Sequence, residues 1–147
     1  MQRQPKNDLV HLLGILEAIG KIRHYSDGFE DAYEFYNADE QLRFNASLML
    51  IATIGEYSRK ISSDLQAKYP EIRWKDVYGT RNRITHDYMG VDFEITFRII
   101  QKHLPELKEG IERLVRNESK AGVLSLEELE VAQNSVWYRY VNFSTLL

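Results

Sequence analysis

The sequence contains no cysteine among its 147 residues. Without thiols the chain forms neither disulfides nor thiolate metal sites, and its composition gives no argument for secretion. The longest apolar run, from Leu48 to Ile54, includes one threonine and is far too short to cross a bilayer, and the first residues lack the apolar core of a signal peptide. We therefore expect a cytoplasmic protein with no membrane span.

The chain also lacks a surplus of basic residues, since its formal net charge is -3. A protein that coats nucleic acid generally would carry positive charge over much of its surface. The charge is unevenly distributed, however. The segment from residue 73 to residue 86 has Asp76 as its only acid against four basic side chains, which are Arg73, Lys75, Arg81 and Arg83. The sequence therefore leaves open a local basic patch on an acidic body.

Strand-like alternation of useful length is absent, whereas apolar residues recur at the spacing of helices. A first helix is predicted from about Asp8 to Tyr25 behind Asn7, with Leu9, Leu12, Leu16 and Ile19 on one buried face. An aromatic piece, Phe29 to Tyr36, is expected to cap one end of a bundle. A second helix is predicted behind Asn37, where Glu40 completes a capping-box pattern, and should continue to about Ser62. Its apolar centre, residues 48 to 54, indicates the most buried helix of the protein.

Beyond Gly90 a further helix is predicted to begin near Asp92, with an apolar seam and a kink at Pro105. A capping box at Ser125 and Glu128 predicts a C-terminal helix, whose apolar face would be Leu126, Leu129, Ala132, Val136 and Tyr140. The length favours one domain, residues 1–147. We predict an all-α protein, a four-helix bundle with an additional C-terminal helix.

The stretch from Tyr78 to Tyr88 differs from the plain amphipathic helices around it, because it holds Arg81, Asn82, His86 and Tyr88 within eight residues. Arginine offers a permanently charged fork suited to a phosphate, and histidine can take and give a proton near neutral pH. Together they suit phosphodiester cleavage in RNA. Histidine would remove the proton of the 2′-hydroxyl, and arginine would stabilise the charge that develops at phosphorus, without a metal.

The spacing of these residues favours a site built from two chains. On a helix, Asn82 and His86 lie one turn apart on the same face, so the amide can orient the imidazole. Arg81 and His86 lie about 140° apart around the same helix. A two-fold dimer that brings two copies of the stretch together would let each phosphate be held from both sides.

A simpler interpretation stays open at this point, because an arginine, a histidine and a tyrosine on a charged helix are more often a solvated face. The other histidines are scattered, with no His-x3-His pair, so no metal site is expected. Gly55 lies inside the second helix, where glycine costs about 1 kcal/mol relative to alanine, which indicates close packing of another backbone.

Four elements, taken in order, resemble the HepT-like toxins of the HEPN superfamily. They are Gly55-Glu56 on a long helix, Tyr69-Pro70-Glu71-Ile72-Arg73-Trp74, the segment from Arg81 to Tyr88, and Leu104-Pro105-Glu106-Leu107. Arg-x4-His alone is a weak signal, but the combination with the following x-Tyr and the flanking elements is fairly specific. The resemblance covers roughly Asn7 to Leu114. It places the family core at about 7–116 and a helical extension at about 117–147.

This resemblance implies a homodimeric HEPN-type bundle that acts as a metal-independent endoribonuclease toxin on tRNA or mRNA. By motif position Arg81 and His86 would be the catalytic pair and Asn82 their polar support. The basic patch would then contact RNA through Arg83, Lys75 and Arg73. The resemblance also implies a partner of the minimal nucleotidyltransferase (MNT) class, the antitoxin, which silences such toxins by transferring AMP to the tyrosine that is Tyr88 here. No cofactor is implied.

Two alternatives remain at the level of sequence. The chain could be a non-catalytic HEPN-fold scaffold or substrate-binding subunit of a nucleotidyltransferase complex, or a purely structural helical dimer. The extension beyond about Glu118 departs from the family core, and we expect it to cover the bundle rather than to extend the dimer or bind the partner.

Overall fold

The computed structural model describes residues 5–86 and 91–147, with the side chains of residues 8–84 and 91–147, and it is all-α as predicted. Within this part of the chain no helix is both long and apolar enough to span a bilayer. Four long helical units form the bundle, namely the first, third and fifth helices and the continuous sixth and seventh. The helices are α1 Pro5–Ser26, α2 Ala32–Asn37, α3 Leu42–Lys60, α4 Ser63–Lys68, α5 Trp74–His86, α6 Phe93–Arg98, α7 Leu104–Lys120 and α8 Leu126–Ala132.

The first helix, α1, lies at the centre of the bundle. The predicted stripe of Leu9, Leu12, Leu16 and Ile19 is buried, each side chain being no more than 3% exposed. α1 packs against α3 on one side and against α7 on another. Because contacts come from more than one direction, further side chains of the same helix, such as Leu13 and Ile15, are also buried. The prediction of a buried face on α1 is confirmed.

The start of α3 differs from the prediction. Asn37 is the last residue of α2 rather than an N-cap, and its side chain makes no capping hydrogen bond. The chain then passes through a left-handed turn, with positive φ at Asp39, Glu40 and Gln41, and α3 begins at Leu42. The capping box at Asn37 and Glu40 is therefore wrong. The spacing of the two residues was right for a cap, but a short helix, α2, already occupies the preceding segment behind its own N-cap, Asp31.

The aromatic segment before α3 closes one end of the bundle, as predicted. Phe35 is fully buried and contacts the rings of Phe29 and Phe44, and Tyr36 stacks on Phe93 with ring centroids 4.9 Å apart. These contacts join α2 to the beginning of α6. They therefore anchor the start of α6 at this end of the bundle.

The apolar centre of α3 is not buried all round. Ile51 and Ile54 are 3% or less exposed, but Met49 is 65% exposed. Hence α3 is not the most buried helix, and α1 is buried on more sides. α1 and α5 pack against α3 and leave the surface around Met49 uncovered. A run of apolar residues cannot show by itself which sides of a helix its neighbours will cover.

The irregularity predicted at Pro105 takes the form of a π-helical turn. Residues Ile99–His103 form this turn between α6 and α7, and the N–H of Leu104 donates to the carbonyl of Ile99, five residues back. Proline has no N–H to donate, so the wide turn ahead of it changes the hydrogen-bonding register before α7 begins. The apolar seam runs on through the turn, with Ile100, Leu104 and Ile111 all buried.

The C-terminal extension covers the bundle, as predicted. Ser125 caps α8 by accepting from the N–H of Glu128 at 3.1 Å. The N–H of Tyr140 donates to Glu17 of α1 at 2.6 Å, and Arg116 of α7 donates to the carbonyl of Thr145 at 2.8 Å. The side chains that anchor this segment are buried, namely Leu124, Leu129, Phe143 and Leu146.

Three side chains of the predicted apolar face of this C-terminal helix are exposed rather than buried. Leu126, Val136 and Tyr140 are 43% or more exposed. The helical period was extended too far in the prediction, because α8 ends at Ala132 and the segment beyond it consists of short 3₁₀ turns. The face is therefore confirmed only at Leu129, with Ala132 half-buried.

A buried hydrogen-bond network fixes the entry into α5. The hydroxyl of Tyr69 donates to Glu118 of α7 at 2.7 Å, and Lys68 pairs with the other oxygen of the same carboxylate at 2.7 Å. Burial, followed by the bond to Glu118, raises the pKa of Tyr69 above its usual value. The indole N–H of Trp74 donates to the carbonyl of Tyr69 at 3.1 Å. α5 thus begins from a point that is tied to α7.

Candidate active site

The helix α5 lies unusually close to α3 because Gly55 has no side chain. A Cβ at position 55 would collide with the Cβ of Arg81 and would approach the carbonyl oxygen of Val77 to 3.0 Å. The prediction that another backbone packs closely on Gly55 is confirmed. That backbone is the turn of α5 that carries Arg81, so this glycine fixes the position of the candidate catalytic arginine.

The side chain of Arg81 is held by two neighbours. Its Nε lies 3.4 Å from the carboxylate of Glu56, and one terminal nitrogen donates to the side-chain oxygen of Asn82 at 3.2 Å. The side chain is 32% exposed, so it remains accessible from solvent. A guanidinium has five donors, and two contacts leave other N–H groups available for a phosphate. The arginine is therefore oriented in advance and still able to bind an anion.

The backbone of α5 is helical as far as His86, which is its last residue. The register predicted from sequence therefore holds: positions 82 and 86 share a face, and positions 81 and 86 lie about 140° apart. The side chain of His86 and the whole of Tyr88, the predicted AMP acceptor, lie outside the described residues. Both roles remain predictions.

A groove of about 580 Å³ separates α5 from the π-helical turn and α7. All three predicted RNA contacts, Arg73, Lys75 and Arg83, line it. Sequence reasoning missed two further basic residues on the opposite wall, His103 and Arg113. They are distant from α5 in the chain, so only the placement of the π-helical turn and α7 across the groove from α5 could reveal them.

The groove is neither uniformly basic nor uniformly polar. Glu71 pairs with Arg113 at 3.3 Å, and Asp76 pairs with Arg73 at 3.0 Å. Its floor is aliphatic and is built from Ile51, Ile54, Ile72, Leu104 and Leu107. Its cations are therefore partly neutralised, and an apolar surface lies between them.

Glu56 is the member of the candidate site that the sequence indicated least. It follows Gly55 in the family pattern, but its pairing with Arg81 depends on two helices crossing at that glycine. In the part of the chain that the structure describes, no three histidine, aspartate or glutamate side chains lie close enough together to hold a metal ion. The described chemistry of the site thus centres on Arg81, Glu56 and Asn82.

Comparison with known proteins identifies the family. A model of the family described as "Ribonuclease HepT-like" matches residues 15–114. The chain is 31% identical over 114 residues to "Probable ribonuclease HepT" of Thermococcus cleftensis, covering 78% of this chain and 98% of that protein. It is 32% identical over 101 residues to "Putative RNase MJ1380" of Methanocaldococcus jannaschii, covering 69% and 90%. No solved structure matches. The chain therefore belongs to the HepT-like ribonuclease family.

Proposed function

We propose that this ribonuclease is a metal-independent endoribonuclease and the toxin of a type VII (HEPN/MNT) toxin–antitoxin pair. The observation that carries the proposal is the pre-oriented Arg81, which Gly55 and Glu56 hold on the same helix as Asn82 and His86. Preorganised positive charge at the place where negative charge develops is usually the largest contribution to catalysis.

In the proposed reaction His86 removes the proton of the 2′-hydroxyl, and the 2′-oxygen attacks the adjacent phosphorus. The bond from phosphorus to the 5′-oxygen of the next nucleotide breaks, that oxygen takes up a proton from water, and His86 returns its proton to solvent. The products are a 2′,3′-cyclic phosphate and a free 5′-hydroxyl. Arg81 stabilises the negative charge on the phosphorane, and Asn82 orients the imidazole from one turn away.

The substrate in this proposal is a tRNA or an mRNA, bound by a homodimer. Arg73, Lys75 and Arg83 project from one wall of the groove beside α5 and would contact backbone phosphates. Because positions 81 and 86 lie on different sides of α5, a second copy would let one phosphate be held by groups from both chains.

Silencing would act through Tyr88, two residues after His86. An MNT nucleotidyltransferase would transfer AMP to the tyrosine hydroxyl, and the added phosphate would compete with RNA for Arg81. The expected compartment is the cytoplasm, where both RNA and the transferase are present.

The test is cleavage of a tRNA pool in excess EDTA, after the intact mass has shown that no AMP is attached. Unmodified RNA should be cut to 2′,3′-cyclic phosphate ends, and a 2′-O-methylated version of the same RNA should stay intact because its nucleophile is blocked. Cleavage of both RNAs would rule out attack by the 2′-hydroxyl. Loss of cleavage in EDTA that added Mg²⁺ restores would rule out metal independence.

One contact favours a second candidate function, a non-catalytic scaffold or substrate-binding subunit of a nucleotidyltransferase complex. The carboxylate of Glu56 already neutralises part of the charge of Arg81, and a carboxylate beside an arginine opposes phosphate binding. Expression without the transferase separates the two functions. A toxin would arrest growth, whereas a scaffold would be harmless.

Replacing Glu56 with glutamine tests whether the carboxylate positions Arg81. We expect kcat to fall roughly tenfold with little change in KM, because the amide keeps the shape but loses the charge-assisted contact that holds the guanidinium. Asp39→Asn is the matched control, since it removes an Arg–carboxylate pair with Arg43 at the other end of α3. Faster cleavage by Glu56→Gln would show instead that Glu56 restrains Arg81.

A further inference from the structure

A second pocket, separate from the groove beside α5, lies where α1, α3 and the C-terminal extension meet. It has a volume of about 290 Å³, close to the lower end of the range for small-ligand sites. We call it the Trp137 pocket, and its walls include Glu17, Lys21, Thr53, Tyr57, Trp137 and Tyr138. The family match ends at residue 114, so one wall of this pocket lies outside the matched part of the chain.

Two glycines of α1 bring aromatic residues to the pocket. A Cβ at Gly14 would lie only 2.6 Å from the ring of Tyr57. A Cβ at Gly20 would lie only 2.5 Å from the carbonyl oxygen of Tyr140. Glycine destabilises the interior of a helix relative to alanine, so each position needs a packing reason. Gly14 lets the ring of Tyr57 lie against α1, and Gly20 lets the extension run directly over the same helix.

Trp137 is held by its backbone, yet its side chain is left uncovered. The N–H of Trp137 donates to the side chain of Ser135 at 3.2 Å. Three residues later, the N–H of Tyr140 donates to Glu17 at 2.6 Å. The indole of Trp137 is nevertheless 78% exposed, whereas Trp74, the other tryptophan of the sequence, is buried. An aromatic ring with a fixed place and an open face is suited to stacking on a base, as in proteins that bind single-stranded nucleic acid.

The pocket also offers a hydrogen-bond acceptor and a cation. One carboxylate oxygen of Glu17 accepts from the N–H of Tyr140, and the other lies 3.9 Å from the Nζ of Lys21, too far for a hydrogen bond. This second oxygen can therefore accept from the amino group of a base, as glutamate does from cytosine. Uracil has a carbonyl oxygen in place of that amino group and has nothing to donate there. The side chain of Lys21 is 40% exposed and supplies positive charge for a backbone phosphate.

The pocket lies next to the residues that hold Arg81. Thr53 lines it, and Glu56, whose carboxylate contacts Arg81, is three residues further along α3 and therefore on a neighbouring part of its surface. This surface is open to solvent, since Met49, one turn before Thr53, is 65% exposed. When one phosphate of an RNA is at Arg81, a base of an adjacent nucleotide can therefore reach the pocket across α3.

We propose, building on the RNA cleavage proposed above, that the Trp137 pocket binds one unpaired base of the substrate that carries an amino group, such as cytosine or adenine. The base stacks on Trp137, and its amino group donates to Glu17. The phosphate at Arg81 is thereby held at a fixed distance from this base. The pocket helps to select which phosphodiester is cut, because only an unpaired base is free to enter it.

The test measures binding without cleavage, by titrating the full-length protein and its variants with 2′-O-methylated cytidine RNA of about ten nucleotides. The comparison ligand is the same sugar–phosphate backbone without bases. Trp137→Ala should bind the cytidine RNA at least about fivefold more weakly, the usual effect of removing one stacking ring, and should bind the base-free backbone as well as the wild type does. Trp137→Phe keeps a ring and should retain most of the affinity. Val136→Ala changes the adjacent exposed apolar residue and is the control.

Two further readouts identify the contact with the base. The emission of Trp137 should be quenched by the cytidine RNA and not by the base-free backbone, whereas the buried Trp74 should not respond. A uridine RNA of the same length should bind the wild type at least about fivefold more weakly than the cytidine RNA, because it lacks the amino group that donates to Glu17.

Unchanged affinity of Trp137→Ala for the cytidine RNA would overturn the inference and would leave the exposed ring as a contact for a protein. An equal loss of affinity for the base-free backbone would also overturn it, since Trp137 would then act through the fold. Equal binding of cytidine and uridine RNA would overturn the role of Glu17. Cleavage is scored separately with unmethylated RNA. Binding as expected without cleavage leaves the pocket and removes the catalytic proposal, whereas cleavage by a protein whose binding does not respond removes the pocket alone.

Discussion

Replacing Arg81 with alanine is expected to lower the rate of RNA cleavage by roughly 10² to 10³, the usual cost of removing one preorganised donor from a developing oxyanion. The loss should appear in kcat as well as in kcat/KM, because the charge on the phosphorane exceeds that on the ground-state phosphodiester. Arg81→Lys should recover little. Lysine carries the charge as a single point and cannot contact both Glu56 and a phosphate with a planar fork.

Arg98→Ala is the control for this substitution, since Arg98 is an exposed arginine on α6 that should be dispensable for catalysis. His86→Ala should lower the rate by roughly 10² to 10⁴. The double variant should be hardly worse than the more damaged single one, because groups that act together in one step do not contribute independently. Full activity in Arg81→Ala would show that the phosphate is held elsewhere, with the cations of the groove as the next candidates.

Much of the helical scaffold could be predicted from sequence because its signals are local. The stripe on α1 and the cap at Ser125 depend on residues three or four apart, and the structure has both. The failure at Asn37 and Glu40 came from a competing local signal, since Asp31 starts a short helix that ends at Asn37. When two capping patterns lie close together in the sequence, the tertiary packing decides which of them starts a helix.

The contacts that make the site depend on pairs of helices. The sequence reveals such a contact only where a residue destabilises its own helix and therefore needs a reason to be there. Gly55 was such a residue, and its cost correctly indicated close packing on α3, although not that Arg81 was the neighbour. Glu56 and Arg113 carry no comparable cost. A glutamate or an arginine on the surface of a helix is ordinary, so the sequence gives no hint of these two ion pairs. Only the three-dimensional arrangement of the helices shows them.

The extension beyond the family core should be an integral part of the fold, and Leu129→Ala tests this. The family match ends at residue 114, yet Leu129 of α8 is fully buried. Truncating a buried leucine lowers the free energy of unfolding by about 2 to 5 kcal/mol. The whole free energy of unfolding of a typical domain is only about 5 to 15 kcal/mol, so the expected loss is roughly a third of it. We expect the urea midpoint to fall accordingly, with an unchanged slope.

Val131→Ala provides the matched control, since this residue lies two positions away on α8 and is 70% exposed. Its removal should change the free energy of unfolding by less than about 0.5 kcal/mol. An equally small effect of Leu129→Ala would mean that the extension detaches at little cost and is an appendage of the bundle. A large effect confined to Leu129 would mean that α1 and α7 depend on the extension to cover their apolar surface. A truncation at the family boundary would then expose that surface and unfold the enzyme for reasons unrelated to its active site.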